Sequence, residues 1–190
     1  MTLPEFDTPK SFADFREGML QKYSGLPAPA PDEVKNLSPD KWMDFQEYDF
    51  RSITYNGWAS FVDDPNASNK RTIRMPGNHN EWAIQLPLDI VTTYFEVAEA
   101  DTKFKIIAYL RCDATVTDGL AMTCGVYDTK KSVGVAQKNI DVSTISGTTY
   151  QKIAFDPVAL SPSMYLWFAP PKREGDVQAV YIDRVVVVQE

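Results

Sequence analysis

The sequence predicts an all-β protein, a jelly-roll-type β-sandwich. About ten short stretches alternate apolar and polar residues with a period of two. Turn signals separate them, and one segment alone, near the N-terminus, has helical spacing. Strands that follow one another without intervening helices close into a sandwich or a barrel. Their short lengths and uneven loops favour the sandwich.

Residues 8–24 carry the helical pattern, with Phe12, Phe15, Met19 and Tyr23 three or four apart on one face. Thr8 before Pro9 reads as a cap and first turn, and Gly25 ends the segment. Leu26-Pro27-Ala28-Pro29-Ala30-Pro31 then reads as a stiff, extended spacer. The expected division is residues 1–30 as helix and linker and residues 31–190 as the sandwich. A helix and spacer of this kind resemble the tail of a preceding domain; a helix packed on its own domain would leave the same pattern.

The strand candidates are 45–53, 57–62, 71–75, 82–86, 92–97, 104–112, 120–127, 133–140, 150–155, 164–168 and 179–188. Asp64-Pro65-Asn66, Pro76-Gly77-Asn78, Asp118-Gly119, Ser146-Gly147 and Arg173-Glu174-Gly175 punctuate them. Alternation assigns faces. Phe104, Ile106, Ala108 and Leu110 should face the core, leaving Lys105, Tyr109 and Arg111 opposite. Met164, Leu166 and Phe168 should point in, with Tyr165 and Trp167 out. Leu120, Met122, Cys124 and Val126 should point in, with Thr123 and Tyr127 out. Trp82 shares parity with Ile84 and Leu86 and should anchor the core. Asn78-His79-Asn80 then becomes a loop at the end of the sandwich.

A formal net charge of −7 and no basic run longer than Lys130-Lys131 or Lys172-Arg173 argue against nucleic acid as a partner. No apolar stretch approaches the length of a membrane span. Two cysteines are too few for a disulfide-built fold or a four-ligand zinc site. A three-residue loop Thr117-Asp118-Gly119, with Gly119 left-handed, would set Cys112 directly opposite Cys124 on the core face. Bonding such a pair is geometrically demanding, so two buried free thiols are expected.

Catalytic motifs are scarce. His79 is the sole histidine, no Gly-x-Ser-x-Gly elbow exists, and no acidic pair stands out among 26 Asp and Glu residues. Arg71 and Arg74 resemble part of a polysaccharide-lyase strand, without the acidic residue between them or a following Gln-x-His. Calcium is the metal the chain could suit, because it takes six to eight oxygens from loop carboxylates and carbonyls. The Asp63–Asn69 stretch is dense in such oxygens. Asp183, which interrupts an otherwise apolar last strand, must pair with a cation, accept hydrogen bonds or face solvent. Asp183, Asp63 and Asp64 are thus the candidate structural calcium ligands, with solvent or an arginine as the plainer fate of Asp183.

Five stretches together carry a family resemblance. They are Val62-Asp63-Asp64-Pro65-Asn66-Ala67-Ser68, Arg74 through Trp82, Gly125-Val126-Tyr127-Asp128, Tyr165 through Pro171, and Val180-Tyr181-Ile182-Asp183-Arg184-Val185. Over residues 40–190 the chain resembles the C-terminal β-sandwich of large secreted bacterial glycosidase-like proteins. More loosely it is similar to jelly-roll carbohydrate-binding modules. The resemblance implies an accessory, non-catalytic role beside an upstream enzyme domain, polysaccharide or oligosaccharide as ligand, and a secreted, periplasmic or cell-surface location. A sugar binder offers flat aromatics for ring faces and polar groups for hydroxyls. Trp167, Tyr109, Tyr127, Arg111 and Gln85 are of the right types on apparent outer faces, with Asn78 and His79 as rim candidates. Two other readings stay open: a structural domain packed against the enzyme without its own ligand, and a jelly-roll lyase or hydrolase.

Overall fold

The computed structural model describes residues 29–50, 59–78, 84–95, 102–171 and 176–190. The expected helix over 8–24, the first part of the spacer, His79 and Trp82 lie outside them.

Two long strands form the spine of the first sheet. They are β5 (Lys103–Ala114) and β11 (Val177–Gln189), paired antiparallel over almost their whole lengths. β3 (Arg71–Pro76) lies along the first part of β11, and β1 (Trp42–Phe45) along its second part. β2 (Ser60–Asp63) extends the sheet beyond β3. β8 (Gln151–Ala154) and β9 (Val158–Ala159) share the other edge of β5. We call this sheet A. Sheet B has the order β4 (Ile84–Pro87), β10 (Met164–Ala169), β6 (Leu120–Asp128), β7 (Val133–Asp141). Among the described residues every pairing between these strands is antiparallel.

The core between the sheets follows the alternation. Phe104, Ile106, Ala108 and Leu110 of β5 are fully buried, as are Leu166 and Phe168 of β10 and Met122, Cys124 and Val126 of β6. Leu120 departs from its expected inward position and is exposed, because a register irregularity separates it from Met122 and gives the core Ala121 instead. In β11 the parity itself changes. Val180 and Ile182 face the core before Asp183, and Val185 and Val187 after it. The register shifts by one between Ile182 and Arg184, so Asp183 is the extra residue of a β-bulge.

Three local expectations differ from the structure. The stretch beginning at Thr92 was expected as a strand, and residues Asp89–Tyr94 form a helix, α1. Thr92 and Thr93 turn their hydroxyls onto the Asp89 carbonyl, while Val91 is buried in the core. Tertiary burial here overrides the strand preference of β-branched residues. The first strand ends at Phe45 rather than beginning there. Gln46 and Asp49 form a reciprocal capping box that turns Glu47–Asp49 into a 3-10 helix. Finally, β5 and β6 are not a hairpin. They lie in different sheets, so Cys112 is opposite Val180, and Cys124 is flanked by Phe168 and Lys138. Gly119 is left-handed as expected, with φ of 93°. However, its carbonyl accepts from Val142 at the start of the short helix α2 (Val142–Ile145), and Thr115 bonds to Asp176, so the connection crosses between sheets. Both cysteines are buried free thiols, and burial pushes Cys112 up to about 11 and Cys124 up to about 12.

Candidate functional site

Sheet B presents an outer face built from alternate residues of four strands. One row across it runs Gln85, Trp167, Gly125, Gln137; the next runs Pro87, Tyr165, Tyr127, Gly134. Side chains two residues apart along a strand share a face, so both rows point the same way. The alternation in β10 that sends Leu166 and Phe168 into the core leaves Tyr165 and Trp167 half-buried here.

Gly125 matters because it is empty. A Cβ at that position would lie 2.9 Å from two atoms of the Trp167 indole and 2.5 Å from the Ala136 carbonyl oxygen. The indole therefore occupies the space a side chain on β6 would fill, resting against the glycine backbone. Tyr127 and Tyr165 lie beside it, ring centroids 5.7 Å apart and tilted by 43°. Together with Gly134, Ala136 and Gln137 these three rings line a concavity of about 480 Å³. That is within the range of small-molecule sites. Burial and the neighbouring Tyr127 push the Tyr165 phenol above its ordinary value, so it stays neutral at physiological pH. None of the lining side chains is an acid or a base that ionises near pH 7. The surface offers aromatic rings and amides without charge.

Of the residues expected to bind sugar, Trp167, Tyr127 and Gln85 meet on this face. Tyr109 and Arg111 do not. They belong to β5, on the outer face of sheet A across the sandwich. Neither is an open contact group. Arg111 donates from Nε (3.0 Å) and Nη2 (2.9 Å) to Asp64 Oδ2 and from Nη1 to Asp113 (2.8 Å). Its guanidinium stacks 3.6 Å from the centre of the Tyr181 ring. Tyr150 gives its hydroxyl to Asp64 as well, at 2.7 Å. Tyr109 donates to Glu33, which also pairs with Lys152, and burial together with Glu33 raises its phenol. Asn78 is exposed in the turn after β3, a strand of sheet A, and His79 is outside the described residues.

The calcium candidates are likewise engaged by protein groups. Asp64 is buried and ion-paired with Arg111, which together with Tyr150 and the Asn66 N–H holds its carboxyl below the usual range despite burial. Asp63 is exposed, 3.8 Å from Arg71. Asp183 is only 4% exposed and accepts from the Ser68 N–H at 2.9 Å and the Ser68 hydroxyl at 2.8 Å, and among the described residues no arginine bonds to it. Among the described residues, no three Asp, Glu, His or Cys side chains form a metal-holding group. The oxygen-dense 63–69 loop supplies partners to sheet A through Asp64 and Ser68.

Sequence reasoning missed Tyr165, Gln137 and the two glycines as members of the site. Tyr165 carried a signal, the same parity as Trp167. The glycines carried none until the register set Gly125 beside Trp167.

No protein-family model matches the chain. No curated protein matches it. Solved structures of similar arrangement include a family 35 carbohydrate-binding module from Clostridium thermocellum, 15% identical, TM-score 0.48, covering 77% of this chain and 98% of that one. Another is the CBM22-1 xylan-binding domain of Paenibacillus barcinonensis Xyn10C, 11% identical, TM-score 0.46, covering 78% and 85%. The C-terminal family 22 module of Clostridium thermocellum Xyn10B is also 11% identical, with a TM-score of 0.43, covering 80% and 88%. Longer chains match as well: this chain spans 26% of a Clostridium thermocellum xylanase carrying CBM22-1 and GH10 modules, and 25% of an arabinose-bound GH51 arabinofuranosidase.

Proposed function

We propose that this chain is a non-catalytic glycan-binding module that holds a neutral polysaccharide against the outer face of sheet B. The observation that carries the reading is Trp167 lying on Gly125, with Tyr127 and Tyr165 alongside. A sugar ring has an apolar C–H face and an edge of hydroxyls. The indole and phenol rings match the first, and Gln85 and Gln137, in line with Trp167, match the second with both donors and acceptors. A site without charge fits neutral glycans better than uronates. A place outside the cell, beside a carbohydrate-active enzyme domain of a longer chain, belongs to the same reading. No helix among the described residues is long and apolar enough to cross a membrane.

The test is retention of the purified chain in native gels containing soluble xylan, glucomannan or β-glucan, with cellulose pulldown in parallel. At least one glycan should retard it. Trp167→Ala should weaken that binding at least tenfold, equivalent to about 1.4 kcal/mol, and Trp167→Phe should restore part of it. Undiminished binding by Trp167→Ala would remove this face as the site. Binding to none of the glycans would favour a structural domain instead.

A further inference from the structure

A second concavity lies on the opposite side of the sandwich, over sheet A. Its volume is about 360 Å³, and Pro29, Pro31, Tyr109, Tyr150, Asp183 and Arg184 are among its lining residues. Its floor is the β11 bulge, which places two consecutive residues, Asp183 and Arg184, on the outer face. Its wall is the segment entering β1, held by the Arg184 Nη1 bond to the Pro29 carbonyl at 2.9 Å.

Asp183 is incompletely satisfied. Both of its hydrogen bonds, from the Ser68 N–H and hydroxyl, end on Oδ1. Oδ2 accepts from no described residue, although the side chain is nine-tenths buried and lines the cavity. A buried carboxylate oxygen without a donor is costly, so the site lacks a hydrogen-bond donor from outside the fold. Next to it, Arg184 directs three of its five N–H groups to Asp44 and Pro29 and keeps the others. An acceptor and a donor side by side match a vicinal diol. The prolines and tyrosines supply the apolar walls that a ring's C–H groups need.

The alternatives fit less well. A metal ion would find one inward carboxylate and no further acidic or histidine ligand set among the described residues. An amine would meet Arg184, Lys35 and Lys152 around the cavity. An anion would meet Asp183 and Asp32.

We propose that the cavity over Asp183 and Arg184 is a second saccharide site, taking a neutral sugar whose vicinal hydroxyls bridge Asp183 Oδ2 and the Arg184 guanidinium. It stands on observations separate from those for sheet B. With both sites filled the module would be bivalent, engaging one glycan on each outer face of the sandwich.

The two sites differ in pH response. Burial pushes the Asp183 carboxyl up to about 6. Ligand hydroxyls donating to it favour its charged form, so affinity should fall as pH drops from 7.5 to 5. Asp44 is ion-paired with Arg184 at 2.6 Å, Asp32 and Glu33 are held below the usual carboxylate range by Lys35 and Lys152, and Lys152 is raised by Glu33.

The experiment is an NMR titration of the full chain with the methyl β-glycosides of glucose, xylose, mannose and galactose, followed at backbone amides. At millimolar sugar, at least one probe should shift Ser68, Thr149, Asp183 and Arg184, more strongly at pH 7.5 than at pH 5. Asp183→Asn should weaken that response at least tenfold and remove its pH dependence. Thr149→Trp, at an exposed rim position, should block the cavity without touching the bulge. Trp167→Ala should leave these shifts unchanged, which separates this site from the one on sheet B. Absence of these shifts with all four probes, or shifts that survive both Asp183→Asn and Thr149→Trp, would overturn the proposal.

Discussion

The two outer faces of this sandwich solve opposite problems with the same alternating pattern. On sheet B the residues that line the concavity are uncharged rings and amides, half-open to solvent. On sheet A charged residues stand among apolar ones such as Ile107 and Val186, and the chain folds over them. Asp44, Gln46, Glu47, Asp64, Arg111, Asp183 and Arg184 are all buried there. Loop 64–70 reaches Arg111 and Asp183, and the segment from Pro29 to Lys35 reaches Arg184, Tyr109 and Lys152. A charge taken from water must find its counter-charge within the protein, so each of the two buried arginines on this face, Arg111 and Arg184, has its own covering segment. An exposed indole makes no such demand. Polar groups on the outside of a sheet are therefore not by themselves a sign of a binding surface. Whether they have been claimed internally decides.

The largest expected effect breaks the covered face. Asp64→Ala leaves the Arg111 guanidinium buried without its main counter-charge, and should cost about 3–5 kcal/mol, a fall in melting temperature of roughly 6–20 °C for a domain of this length. The double variant Asp64→Leu/Arg111→Met should recover most of it, since the penalty belongs to the unpaired charge. If Asp64→Ala alone melts within about 2 °C of the parent, the pair is not buried in solution.

Two carboxylates on that face should then respond to pH with opposite sign. Asp64 is held below its ordinary value, so its contribution is present above about pH 4 and lost as pH falls. Asp183 is raised from 3.8 to about 6, so its protonated form is favoured in the fold, and stability is lost as pH rises through that interval. Asp183→Asn keeps an oxygen for Ser68 and removes the buried charge. It should be more stable than the parent at pH 7.5 by about 1–3 kcal/mol, with the advantage vanishing near pH 4. Denaturant melts of both proteins at the two pH values measure this. A variant that is less stable at both would show that Ser68 needs the carboxylate itself.

A smaller effect sharpens the open face. Gly125→Ala puts a methyl group 2.9 Å from the Trp167 indole and 2.5 Å from a backbone carbonyl. A stability cost of about 1–3 kcal/mol is expected from the forced shift, with glycan binding lost because the indole is displaced. Indole fluorescence and glycan retention report the two parts separately. Binding retained at parental strength would mean that the ring's placement on Gly125 is not what the ligand uses.

The period-two alternation by itself determined the fold class, most strand locations and the inward faces of β5, β6 and β10, because a strand's apolar side must be buried wherever it pairs. It also placed Trp167 and Tyr127 outside the core. Strand order was not local information. Nothing near Cys112 or Asp118 says that β5 and β6 part into different sheets, and that separation put Tyr109 and Arg111 across the molecule from Trp167. Nor does the stretch around Asp183 announce a bulge, since one extra residue in a run of valines and isoleucines looks like a continuous strand. Which outward residues stay free is a long-range matter. Asp64 and Arg111 are 47 positions apart, and Ser68 and Asp183 are 115 apart. Those partnerships exist only once the sheets have assembled, because a buried charge is satisfied by whatever the tertiary fold brings to it.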